Sequence, residues 1–262
     1  MIPISACAAV TGGRGTRGRV CGRRSRSIRV SKGAGYRVYL TVVFCIIGVC
    51  LQILYLWIYP TGDTNRHLQY ALILLCLYYV MRTHGTGPDG LLSLWAIACT
   101  AGADFFLVAL RQEQRLPGMA VFVLAQALWA IRLLRMEGGR RALLHGISWL
   151  LTAGALAVVS VIIARGIDAV LLLTAVYGAF LLTTTVFAWV GRENLLFTLG
   201  MSLFVCCDMF VAANCAGSYM DTGALPLAEQ MNGIPFNMRW AFYGPSQMLL
   251  ALSARDGGER KT

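Results

Sequence analysis

The chain has 262 residues, 57% of them apolar and 13% charged, with a mean hydropathy of +0.64. A soluble domain carries about 25% charged residues, so this chain has too few polar side chains to coat a water-facing globule. A soluble enzyme, a disordered chain and a coiled coil are excluded, and a polytopic membrane protein remains. The formal net charge of +11, from 23 Lys+Arg against 12 Asp+Glu, would suggest nucleic acid in a soluble chain. Here nine basic residues and no acid lie between Met1 and Arg37, so the excess reads as a membrane feature and no nucleic-acid partner is expected.

Residues 1–36, rich in Gly, Ser and Arg, have no apolar period and are expected to form a disordered basic arm. Such an arm is a topology determinant drawn to anionic headgroups, with a targeting peptide as the lesser reading. Residues 37–255 form an all-α transmembrane bundle, and residues 256–262 a cytoplasmic tail. Eight apolar segments are predicted to span, near residues 38–59, 68–82, 91–110, 119–134, 143–164, 167–190, 195–214 and 238–254. The second and fourth are short, and cross by borrowing flanking residues or by thinning the bilayer. Connections are tight except for Ala216 to Asn237, which holds Gly, Pro, Asp and Asn. No internal repeat is convincing.

An even number of spans puts both termini on one side. With the termini cytoplasmic, 18 basic residues fall inside and five outside (Arg66, Arg111, Arg115, Arg165 and Arg239), a strong positive-inside bias. Trp57 and Trp240 at outer ends, and Trp129 and Trp189 at inner ends, suit an aromatic belt. The nine cysteines have no metal-ligand spacing, and six fall inside apolar runs, so neither a disulfide framework nor a metal site is expected. His67, His84 and His145 lie at span edges or in loops, where they read as interfacial residues.

An acid inside a bilayer costs several kcal/mol unless it faces the bundle interior with partners. Two acids are so placed: Asp104 in the third span and Asp208 in the seventh, each six residues before its outer end. At 1.5 Å per residue both lie ~9 Å below the outer edge of the apolar layer, with no intramembrane Lys or Arg at that level. Gln52, Gln126, Thr174, Tyr243, Ser246 and Gln247 sit at comparable depth in other spans, and Asn214 marks the outer end of the seventh. Gly102 and Gly200 permit close helix approach, and Pro245 frees a backbone carbonyl in the last span. The blander reading of the polar residues is interhelical glue. The matched acid pair favours a polar pocket in the outer half of the bundle.

Four patches resemble one family. Leu199-Gly-Met-Ser-Leu-Phe-Val-Cys-Cys-Asp-Met-Phe-Val-Ala and Phe242-Tyr-Gly-Pro-Ser-Gln-Met-Leu-Leu-Ala-Leu-Ser are similar to the last two helices of YhhN-type membrane proteins, a group that includes the lysoplasmalogenases. Ala101-Gly-Ala-Asp-Phe-Phe-Leu and Pro117-Gly-Met-Ala-Val-Phe-Val-Leu-Ala-Gln resemble the family's earlier Gly-Asp helix and the helix after it. In topology the likeness covers residues 40–254. The chain departs from the pattern at Gln126, where many relatives carry His, and in the second span, which has little of the usual Lys-Pro character.

The resemblance implies a cofactor-free hydrolase that cleaves the vinyl ether of a lysoplasmalogen, a lysophospholipid-like substrate drawn from the lipid bilayer, to a fatty aldehyde and a glycerophospho-alcohol. That reaction asks for one carboxyl that delivers a proton to carbon and one that activates water. Asp104 and Asp208 are the implied pair, in an order the sequence leaves open. Tyr177, Gln126, Tyr243, Ser246, Gln247 and Asn214 would line the substrate site, and Arg111, Arg115 or Arg239 would hold the phosphate. A transporter or small-ligand binding protein using the same acids is the alternative, and a catalytically silent lipid-binding scaffold a third.

Overall fold

The computed structural model describes residues 24–85, 87–110, 115–136, 139–163, 169–191, 194–219, 230 and 237–254. Its contacts divide the chain into Met1–Tyr39 and Leu40–Thr262. In the first unit the described residues, from Arg24 onward, are helical. The arm expected to be disordered therefore lies partly outside the described residues (1–23), and from Arg24 to Tyr36 it is helix. Extending a helix already formed by an apolar span requires no new nucleus, which is why a run without apolar period continues it.

Eight helices are described: α1 (Arg24–Ile53), α2 (Gly62–Thr83), α3 (Pro88–Asp104), α4 (Arg115–Met136), α5 (Gly139–Ile163), α6 (Ala169–Gly191), α7 (Leu195–Tyr219) and α8 (Met238–Ser253). Two of them continue as a wider π turn, Leu54–Ile58 after α1 and Phe105–Ala109 after α3. Helix starts follow local chemistry. Gly62, at φ +87°, makes the left-handed turn that a side chain would resist, and Asp63 then sits in the first turn of α2, where a negative charge suits the exposed amides. Pro88 occupies the first position of α3, where its missing N–H costs nothing.

Among the described residues six helices are long and apolar enough to cross a membrane: Gly35–Ile58, Pro88–Val108, Arg115–Arg135, Gly139–Ile162, Ala169–Gly191 and Leu195–Cys215. The chain is a multi-pass membrane protein. The remaining two of the eight expected spans are present as helices but fall outside those six. The first turns of α2 carry Asp63, Asn65, Arg66, His67 and Gln69, and α8 has 16 residues.

Both of these helices are structural members of the bundle interior. Within Leu40–Thr262, α2 packs on α3, α3 on α4, α4 on α6, α6 on α7, α7 on α8, and α8 back on α2. This is a closed ring of six helices. Helix α5 lies outside the ring, mostly against α6, with only 6% of its span buried, and the α1 span is 17% buried. Their outward faces carry Leu150, Leu151, Val158, Ile162, Ile46 and Val49, all exposed, as a hydrocarbon solvent permits.

Glycines set the closeness of α8 to its neighbours. A Cβ on Gly200 would meet Leu250 of α8 at 3.0 Å, and one on Gly244 would meet the Tyr55 hydroxyl oxygen at 2.3 Å. Ser246 donates to the Gly200 carbonyl at 2.8 Å, and Phe44 stacks on Tyr79 with ring centroids 4.2 Å apart.

Candidate active site

Asp104 is the last α-helical residue of α3, at the point where the helix widens into its π turn. There the Phe105 amide meets both the Ala101 and Gly102 carbonyls. Widened turns of this kind occur frequently at functional sites. Asp104 is 3% exposed and accepts a hydrogen bond from the Tyr243 hydroxyl of α8 at 2.6 Å. Asp208 of α7 is half-buried and accepts one from the Tyr177 hydroxyl of α6 at 2.5 Å. Each is a short, charge-assisted bond, the second between neighbouring members of the ring and the first from α8 to α3, which are not adjacent in it.

The two pairs face a common aromatic wall. Phe204 of α7 packs edge-on against Tyr243 (5.3 Å between centroids) and Tyr177 (6.5 Å), and Phe122 of α4 against Phe204 (6.2 Å) and Tyr177 (5.9 Å). The two tyrosine hydroxyls lie close enough to interact electrostatically, as do Tyr177 and Asp104. Cys207 is within the same range of both carboxylates and of Arg239. Four of the residues singled out in the sequence, Asp104, Asp208, Tyr177 and Tyr243, therefore gather on one level of the ring interior. Among the described residues no further hydrogen bond reaches either carboxylate, so each keeps an oxygen available for chemistry.

Gln126 and Gln247 are fully buried, and neither end of either amide has a hydrogen-bond partner among the described residues. Each lies one turn beyond a residue of the aromatic wall, Gln126 after Phe122 and Gln247 after Tyr243. Other polar residues serve the scaffold. Ser246 ties α8 to α7 as described, and Gln52 sits outside the ring with its amide on the Met248 sulfur at 3.4 Å. Thr174 is exposed and bonds its own helix at Val170. Asn214, expected at the substrate site, is also exposed and donates to the Phe210 carbonyl at 3.0 Å. The Asn214 side chain turns away from the ring interior because its position follows Asp208 by six residues, most of two turns but not a whole number of them.

Sequence reading missed the far end of the ring. Arg132 of α4, counted there as a cytoplasmic charge, is 3% exposed. Its guanidinium forks onto Asp89 of α3 at 2.7 and 3.2 Å and donates to the Ser253 hydroxyl and carbonyl of α8 at 3.0 and 3.1 Å. It also lies over Trp129 (5.5 Å) and Phe197 (5.1 Å). Trp129, expected in an aromatic belt, is instead 0% exposed. The indole packs against Phe197 and the arginine, which offer it more contact than an interface would. These side chains fill the end of the ring opposite the carboxylates. Nothing in the local sequence marked a pairing of residues 43 and 121 positions apart.

The family model for the YhhN family matches residues 64–254. The chain belongs to the YhhN family. No curated protein and no solved structure matches it. The matched stretch runs from the first turn of α2 to the end of α8, so this YhhN domain contains the whole ring and both aspartate–tyrosine pairs, while α1 precedes it.

Proposed function

We propose that this YhhN protein is a membrane-embedded ether hydrolase that cleaves the vinyl ether of lysoplasmalogens. It would cross the cell membrane eight times with both termini cytoplasmic, α2 and α8 being carried across by the ring that surrounds their polar residues. The observation that supports the reading is the meeting of two aspartate–tyrosine pairs inside a closed helix ring.

In the proposed reaction one aspartic acid gives its proton to the outer alkene carbon of the substrate, leaving an oxocarbenium ion. The second carboxylate takes a proton from a water molecule as the water oxygen bonds the cationic carbon, giving a hemiacetal. The first carboxylate then removes the hemiacetal hydroxyl proton while the second returns its proton to the departing ether oxygen. Aldehyde and alcohol separate, both aspartates regain their starting states, and one water is consumed. The tyrosine hydroxyls hold each carboxyl in orientation and leave its other oxygen to react. Arg239, half-buried and one turn before Tyr243 on α8, would meet the phosphate. Arg115 is exposed at the start of α4, and Arg111 lies outside the described residues.

The Arg132 cluster favours this reading over transport, since a pocket filled at one end suits a bound substrate better than a through path. The test is aldehyde release by the purified protein from lysoplasmalogen and from its saturated ether analogue. Release from the vinyl ether alone, abolished by Asp104→Asn and by Asp208→Asn, is expected. Release from both lipids, or activity that survives both substitutions, refutes the mechanism.

A further inference from the structure

Hydrolysis needs a water molecule inside a ring that otherwise excludes bulk solvent, and the polar groups that the aspartate–tyrosine pairs do not use lie together beyond them. Arg132 and Ser253 are hydrogen-bonded, and six residues before each, on two helices running the same way, stand Gln126 and Gln247. Both glutamines therefore lie about 9 Å from the Arg132 cluster toward the carboxylates. Their four amide atoms, the Trp129 indole nitrogen and the Thr184 hydroxyl are all buried without a partner among the described residues. A buried polar group left unpaired costs about 1–3 kcal/mol, and native proteins pair nearly all of them. Something mobile and hydrogen-bonding must satisfy them.

The chemistry of these groups selects the occupant. They comprise donors and acceptors in near balance and carry no formal charge, so neither a phosphate nor a cation is matched. Trp129, Phe197 and Arg132 fill one side and the Phe122–Phe204 wall narrows the other, so the occupant is small. A water molecule offers two donors and two acceptors and is held internally where it finds two to four polar partners.

We propose that Gln126 and Gln247 form an internal water site one helical turn from the aspartate–tyrosine layer, extended a further turn by Trp129 and Thr184, and that this site supplies the hydrolytic water. The two glutamines are positioning residues: they orient the water and do not touch the lipid. This rests on the hydrolase reading for the use of the water, but not for its presence.

Two measurements separate those two claims. Hydroxyl-radical footprinting by X-ray radiolysis marks side chains beside internal waters whether or not the protein turns over. Trp129 should be oxidised well above Phe44 and Tyr79, which are equally buried but stacked on each other, with the Tyr79 hydroxyl already paired with Thr41. The Gln126→Leu/Gln247→Leu variant should lose that labelling. Trp129 labelling no greater than that of Phe44, or unchanged in the variant, overturns the site. In lysoplasmalogen hydrolysis each single variant, Gln126→Met and Gln247→Met, should lower kcat about 10-fold or more with KM unchanged, because misplaced attack is costly while lipid contacts remain. Intact kcat in either refutes the supply role. A protein inactive toward lysoplasmalogen sinks the hydrolase reading and leaves the footprinting result to decide the site.

Discussion

Removing one oxygen tests the site most sharply. In Tyr243→Phe the ring stays in place against Phe204 and Trp240, at 5.3 and 5.0 Å, but Asp104 loses the hydroxyl that reaches it at 2.6 Å. A hydrogen bond to a charged group is worth about 1.5–3 kcal/mol, and each 1.36 kcal/mol is tenfold in rate. If the bond holds the carboxyl in its reacting orientation, kcat for aldehyde release falls about 10- to 150-fold, and KM changes little because the lipid loses no contact. Thermal unfolding in detergent should change modestly by comparison, since the ring packing is retained. Combining Tyr243→Phe with Asp104→Asn should add little to the loss from Asp104→Asn alone, because the two act through one bond. Full activity in Tyr243→Phe, or additive losses in the double variant, would show that the pairing is architectural and that Asp104 does not work through it.

The second pair makes the parallel case. Tyr177→Phe frees Asp208 from a 2.5 Å bond and should also lower kcat at least about tenfold, read by the same aldehyde assay. Arg132→Met strands the Asp89 carboxylate and removes a donor from the Ser253 carbonyl, and breaking a buried ion pair costs about 3–5 kcal/mol. A clear drop in Tm is expected, which pairing with Asp89→Asn should partly reverse. Gly244→Ala places a Cβ 2.3 Å from the Tyr55 hydroxyl oxygen and should destabilise by about 1–3 kcal/mol. Tyr55→Phe in the same chain should recover most of that loss, and a neutral Gly244→Ala would contradict the closeness of α1 and α8. The proposed orientation predicts that Cys215, exposed near the end of α7, reacts with an impermeant maleimide from outside intact cells when the other cysteines are removed. Labelling only after the cells are opened reverses the topology.

Composition and periodicity by themselves determined that the chain lives in a bilayer, where its helices run, and that Asp104 and Asp208 sit at one depth. Those properties depend on hydrophobicity and on the fixed rise of a helix, which a sequence carries residue by residue. Depth, however, is one coordinate of three. Which direction a side chain faces depends on how helices rotate against each other, and that is decided by contacts between distant segments. So Thr174 shared the right level with Tyr243 yet turned outward, as did Asn214 at the outer end of its span, while Arg132 and Trp129 read as interfacial residues and turned in. The closure of α8 onto α2 and the ion pair that fills the far end of the ring arise from packing between segments far apart in the chain. Only the tertiary structure could supply them, because their energies belong to pairs of residues and not to any residue alone.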